Sequence, residues 1–320
     1  MVRLMKKTIK YIVPALVALF AALSCNKDRL SSESVIKDST IEMNAFDYWL
    51  ESNLLRPYNI DFKYRFELNE SDMGFWTVPP TYESAIIYAH LVKYLCVETY
   101  DEIAGITFTR SWFPKMFFLV GEWEYRSNNS KTLGTAEAGK KIMLAGANEL
   151  PFWFEYYADD PAALREEINA EYIKVIHHEF THILNQTKEY SDSFKEVTAP
   201  TYVADACFDT DDYWHGRGYV TAYAQSEPGE DFAEILSEYI THDAAWWDAL
   251  LKDATSQMPE IRKNYPDATD GATYLTTKLD IVREYMQSSW NIDIDKLRDI
   301  VIRRTDDVVS GLVDLTDVTL

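Results

Sequence analysis

Residues 171–186, EYIKVIHHEFTHILNQ, put three histidines and two glutamates into a mostly apolar stretch of sixteen residues. Half of the six histidines in the 320-residue chain fall here. Ile168, Tyr172, Val175, Ile176, Phe180 and Ile183 recur at the three- and four-residue spacing that only a helix gathers onto one face, and that face must pack on a core. At 100° per residue His178 and His182 lie about 40° apart, one turn from each other at the edge of the apolar arc, so both rings point the same way. Glu179 falls beside them and inside the arc, where a carboxylate is costly unless something uses it. His177 points elsewhere and reads as a structural or surface histidine.

Residues 178–182 are therefore His-Glu-x-x-His on a helix: two imidazoles for zinc, and a glutamate placed to take a proton from water at the ion. Chains of this composition contain the pattern by accident on the order of once per hundred sequences, so a third ligand has to be found. A metzincin would need Gly and His at positions 185 and 188; Asn185 and Lys188 exclude that class. The gluzincin pattern takes a glutamate from a later helix. The stretch EPGEDFAEILSEY offers Glu230, with Glu234 one turn further on. Glu230 could then bind the ion while Glu234 orients His178 through its second ring nitrogen. The bland alternative is that acids near a helix start favour its dipole. His215, in DDYWHGRGY, is the rival third ligand, although a loop histidine flanked by aromatics is more often structural. His90 and His242 sit within helical patterns and are assigned to packing or surface.

The formal charge of −21 argues against nucleic acid, whose phosphates demand clustered Lys and Arg. The N-terminus is basic (MVRLMKKTIK) and leads into an apolar run of thirteen residues, YIVPALVALFAAL. That run is too short for a bilayer core of about 30 Å. Residues 1–24 read as a secretory signal peptide. Cys25, directly after Leu23 and Ser24, resembles the lipidated cysteine of bacterial lipoproteins, with an ordinary signal peptide as the alternative. The polar, Ser-rich residues 25–40 form a tether, and 41–320 the folded domain. Cys96 lies in a helical apolar pattern and is expected to be buried; Cys96 and Cys207 are too scattered for a disulfide framework.

Helices are expected over 45–56, 82–104, from a cap at Asp160 to about Tyr190, from Glu230 through about Ala254, near 274–288 and over 294–304. MFFLVGEWEY (116–125) and KKIMLAG (140–146) read as strands separated by a turn-rich stretch, and 191–229 as irregular. One α+β domain, richest in helix towards its C-terminus, follows.

AYAQSEPGEDFAE (222–234) resembles the zinc site of the gluzincins typified by anthrax lethal factor: Tyr, six residues, Glu, two residues, Ala, Glu. The resemblance implies that Glu230 is the third zinc ligand and that Tyr223 stabilises the oxyanion. It departs at Asp231, where the toxin carries an aromatic residue. The whole chain, with its lipoprotein-like start, central His-Glu-x-x-His and EDFAE helix, resembles the substrate import-associated zinc metallohydrolase lipoproteins. That resemblance implies a zincin-like fold for 41–320, with a small mixed sheet, an active-site helix and a helix-rich C-terminal part. It also implies an outer-membrane lipoprotein accompanying a TonB-dependent import system, acting on a peptide or glycopeptide. The rival expectation is a surface lipoprotein that binds glycans or peptides without cutting them. An extended peptide could pair with the 116–125 or the 140–146 strand.

Overall fold

A computed structural model describes residues 42–67, 70, 77–125, 131–137, 140–204 and 212–320, of which Met43–Leu320 pack as one unit. The signal segment, Cys25, the tether and Cys207 lie outside the described residues. Helix α1 (45–58) starts on a reciprocal cap between Asn44 and Asp47. Helix α2 (82–104) starts on the Thr81 hydroxyl and α3 is Ile106–Trp112. Asp160 caps α5 (161–187) and Pro161 takes its first position, as the sequence predicts. Helix α4 (Leu150–Tyr156) precedes it and α6 (Asp192–Val197) follows. The C-terminal part comprises α7 (Pro228–Thr241), α8 (Ala244–Asn264), α9 (Gly271–Trp290) and α10 (Ile294–Val309). The expected single helix from Glu230 is two, because the Asp243 side chain accepts the Trp246 N–H and caps a new helix that starts at Ala244.

Four strands form a mixed sheet in the order β1 (Asp61–Lys63), β2 (Met116–Leu119), β6 (Lys141–Leu144), β5 (Gly134–Glu137). The first three are parallel and β5 runs antiparallel at the edge. The expected strand 116–125 breaks after Leu119; Glu124–Tyr125 (β3) pairs instead with Lys131–Thr132 (β4). Both β2 and β6 have neighbours on each side, so neither can receive a peptide as an added strand. The edge strand β5 lies in the stretch read as turns, and β1 was also unexpected.

The apolar arc of α5 packs as its spacing requires: Tyr172, Ile176 and Phe180 have no exposed surface. Phe180 meets Tyr100 and Phe113 edge-on at ring separations of 4.8 and 5.0 Å. Within α5 one wider, π-type turn spans Asn169–Ile173, just before the segment Lys174–Thr187 that carries the histidines. Helix α7 packs antiparallel on α5 and also touches α9 and α10, so nearly all of it is buried. Gly134 lets β5 approach that pair: a Cβ there would stand 2.9 Å from Val175 Cγ2 and 2.7 Å from the Met143 carbonyl oxygen.

Candidate metal centre

A cleft of about 720 Å³ opens between β5 and the helices α5 and α7, and His178, Glu179, His182, Tyr223, Glu230 and Glu234 all line it. Five of these stand on two helices, one from each side of the α5–α7 contact; Tyr223 stands on the short turn Tyr223–Gln225. His178 Nε2 lies 2.9 Å from Glu230 Oε2, His182 Nε2 lies 3.3 Å from the same oxygen, and the two ring nitrogens are 3.1 Å apart. A tetrahedral ion about 2.0–2.1 Å from each ligand sets ligand–ligand separations of about 3.3–3.4 Å. The triangle, 2.9–3.3 Å on a side, is close to that size and slightly tighter. The other nitrogen of His178, Nδ1, lies 2.8 Å from Glu234 Oε1. A neutral imidazole that donates there presents a lone pair at Nε2, towards a carboxylate and a second ring nitrogen. Lone pairs converging at this range repel unless a cation or shared protons lie between them.

The electrostatics show the same demand. Burial alone would lower the pKa of His178, yet the Glu230 and Glu234 carboxylates, as acceptors beside its two ring nitrogens, lift it to about 10. Burial would raise Glu230, but both imidazoles hold it well below the usual carboxylate range. The arrangement thus favours positive charge beside Glu230, as a dication's ligands would. Tyr223 is raised by burial and by the Glu230 carboxylate, so its hydroxyl stays protonated and able to donate. Among the described residues His178, His182 and Glu230 are the one cluster of metal-ligating groups with such convergence.

Residues 39–295 match the family model described as "Putative zinc-binding metallo-peptidase". The chain belongs to that family. A crystal structure from Bacteroides caccae ATCC 43185, of a protein given the same description, is 34% identical; the match covers 89% of this chain and 100% of that one, with a TM-score of 0.68. The search of curated proteins returned no match. Zinc is the metal of this family, and the donor set of two imidazole nitrogens and one carboxylate oxygen suits it.

The remaining histidines of the chain are engaged elsewhere. His215 places Nδ1 2.6 Å from Asp253 and Nε2 3.1 Å from the Val220 carbonyl oxygen. His90 is buried between the carbonyl oxygens of Ile86 and Asp317. His242 stacks on Trp246 beside Glu238. His177 is fully buried, 3.1 Å from the Tyr100 hydroxyl, and burial pushes its pKa down to about 3. Cys96 is a free, buried thiol. Asp231, the departure from the gluzincin pattern, turns away from the cleft into a fully buried ion pair with Lys278 at 2.5 Å, and accepts the Tyr202 hydroxyl at 2.8 Å. Sequence reasoning missed Lys174 and Glu238, which continue the four-residue spacing of the histidines and of the glutamates by one more turn, with Lys174 lining the same cleft. It also missed Thr221, whose hydroxyl donates to Glu234 Oε2 at 2.7 Å; nothing in its sequence position signals that.

Proposed function

We propose that this chain is a zinc metallopeptidase of the gluzincin type, holding the ion through His178, His182 and Glu230 and hydrolysing peptide bonds. The observation that carries the reading is the meeting of three ligand atoms from α5 and α7, within 4.8 Å of one another, on one wall of an open cleft. When bound, zinc polarises the substrate carbonyl and acidifies a water molecule. Glu179 follows His178 directly, and its carboxylate lines the same cleft. It accepts a proton from the attacking water and delivers it to the nitrogen of the leaving amine. The Tyr223 hydroxyl donates to the carbonyl oxygen as that oxygen gains negative charge. Glu234 holds His178 in the tautomer that turns Nε2 towards Glu230.

Among the described residues β5 is the edge strand that borders the cleft, with Gly134 and Thr135 in its wall, so an extended peptide or glycopeptide can pair there as a fifth strand. The basic start, the apolar run of thirteen residues and Cys25 support a lipid anchor, and the resemblance to the import-associated lipoproteins supports a place at the outer membrane beside a TonB-dependent importer. Among the described residues no helix is long and apolar enough to cross a membrane. Metal analysis together with cleavage of a broad peptide library, before and after chelation, tests the enzymatic reading. Chelator-sensitive cleavage is expected; zinc retained with no cleavage would leave a peptide- or glycan-binding protein. Radiolabelled palmitate should enter the wild-type chain and not Cys25→Ala.

A further inference from the structure

Helices α5 and α7 meet along two matched rows. His182, His178 and Lys174 recur every four residues on α5; Glu230, Glu234 and Glu238 do so on α7. Because the helices run antiparallel, the rows interleave. Glu230 lies against both histidines, and Glu234 reaches His178 with Oε1 at 2.8 Å and Lys174 with Oε2 at 3.3 Å. Lys174 Nζ also donates to Glu238 Oε1 at 2.7 Å, and Glu238 Oε2 lies 3.2 Å from His242 Nδ1. The side chains of Glu234 and Glu238 are 5% and 9% exposed, so solvent does little to fix or neutralise them.

We propose that Lys174 is a positioning residue for the metal centre: by drawing Oε2 of Glu234 away from the ligands it holds Oε1 on His178 Nδ1, and so keeps His178 Nε2 aimed at the ion. The inference rests on the metal assignment above. Two features of the geometry favour alignment over simple charge balance. Glu234 has two oxygens and two directions to serve. Lys174 and the Thr221 hydroxyl both take Oε2, which leaves Oε1 for the imidazole. Thr221 also accepts the Ala224 backbone N–H at 3.1 Å, tying the same carboxylate to the turn that carries Tyr223. Without a cation at position 174, only the neutral Thr221 hydroxyl is left on Oε2, and the buried carboxylates of Glu234 and Glu238 lose the charge they share.

The test is the zinc dissociation constant of the purified protein, measured by competition with a chromogenic chelator. The variants are Lys174→Met, Lys174→Arg, Glu238→Gln and the pair Lys174→Met/Glu238→Gln. Removing the partner of a ligating histidine typically weakens metal binding about 10–100-fold. Lys174→Met should weaken zinc by about tenfold or more, and so should the double variant, in which the distal carboxylate no longer lacks a partner. Glu238→Gln and Lys174→Arg should stay within about threefold of wild type, since both keep a cation on Glu234. A double variant that binds zinc as tightly as wild type overturns the proposal. A double variant that cannot fold also overturns it, because alignment alone should be dispensable to folding. Wild-type protein that binds no zinc, or loses none in His178→Ala, would instead defeat the metal assignment itself.

Discussion

The two faces of α5 treat one residue type in opposite ways. His177 and His178 are chain neighbours and both are buried, yet they stand about 100° apart around the helix. His177 faces Tyr100, among the aromatic rings that also pack on Phe180, and stays neutral with a pKa near 3. His178 faces α7, where two carboxylates lift its pKa to about 10. Burial acts on both rings in the same direction; what differs is whether the opposite helix brings acids. Chemistry on this helix is thus decided by the face of the neighbour, and the two faces should respond to substitution independently.

The largest separation is expected from Glu179→Gln. It should keep stoichiometric zinc and an unchanged melting temperature while turnover falls about 10²–10⁴-fold; an undiminished rate would remove Glu179 as the base. On the other face Phe180→Ala should destabilise the fold by about 3–5 kcal/mol, read by denaturant titration, while zinc per folded molecule stays the same. A loss of zinc from the folded fraction would join the two faces. Tyr223→Phe, on the far wall of the cleft, should cost about 3–4 kcal/mol in transition-state stabilisation, read as kcat, with zinc affinity unaltered.

The smallest effect is the most specific. In chelator-treated protein His177 refuses a proton that the unfolded chain accepts below about pH 6.5, so stability falls with falling pH by about 1.4 kcal/mol per unit until near pH 3. Between pH 7 and pH 5 this amounts to about 2 kcal/mol, and His177→Gln should remove it. His178 has the opposite sign. Its paired, protonated form stabilises the metal-free fold fully below about pH 6.5, and that contribution is lost as pH rises towards 10. His178→Ala should therefore flatten the alkaline limb and leave the fall between pH 7 and pH 5 unchanged. If both variants flattened the same limb, the contrast between the faces would fail.

Much of the site was legible because a helix repeats every 3.6 residues: spacing puts His178 and His182 on one face with Glu179 beside them, and puts Glu234 one turn from Glu230, whose choice as third ligand came from the gluzincin pattern. Lys174 and Glu238 were legible by the same rule, one turn further along, but an isolated Lys or Glu on a helix carries no sign of burial. The Asp231–Lys278 pair joins positions 47 residues apart, and no local pattern encodes it. The strand β5 escaped because Gly134-Thr135-Ala136-Glu137 lacks apolar alternation; pairing with β6 and the close approach to Val175 make it a strand. The π turn at Asn169–Ile173 was equally silent. It precedes the segment 174–187, and Ile168 and Tyr172 of the apolar arc are fully buried all the same.

The central claim is that a carboxylate from α7 completes the metal site begun on α5. Zinc content of the purified Glu230→Ala protein, measured beside wild type by atomic emission, tests it most directly. One zinc per wild-type chain and a near-empty variant with the same fold is the predicted result. Stoichiometric zinc in Glu230→Ala would contradict it and move the third ligand elsewhere.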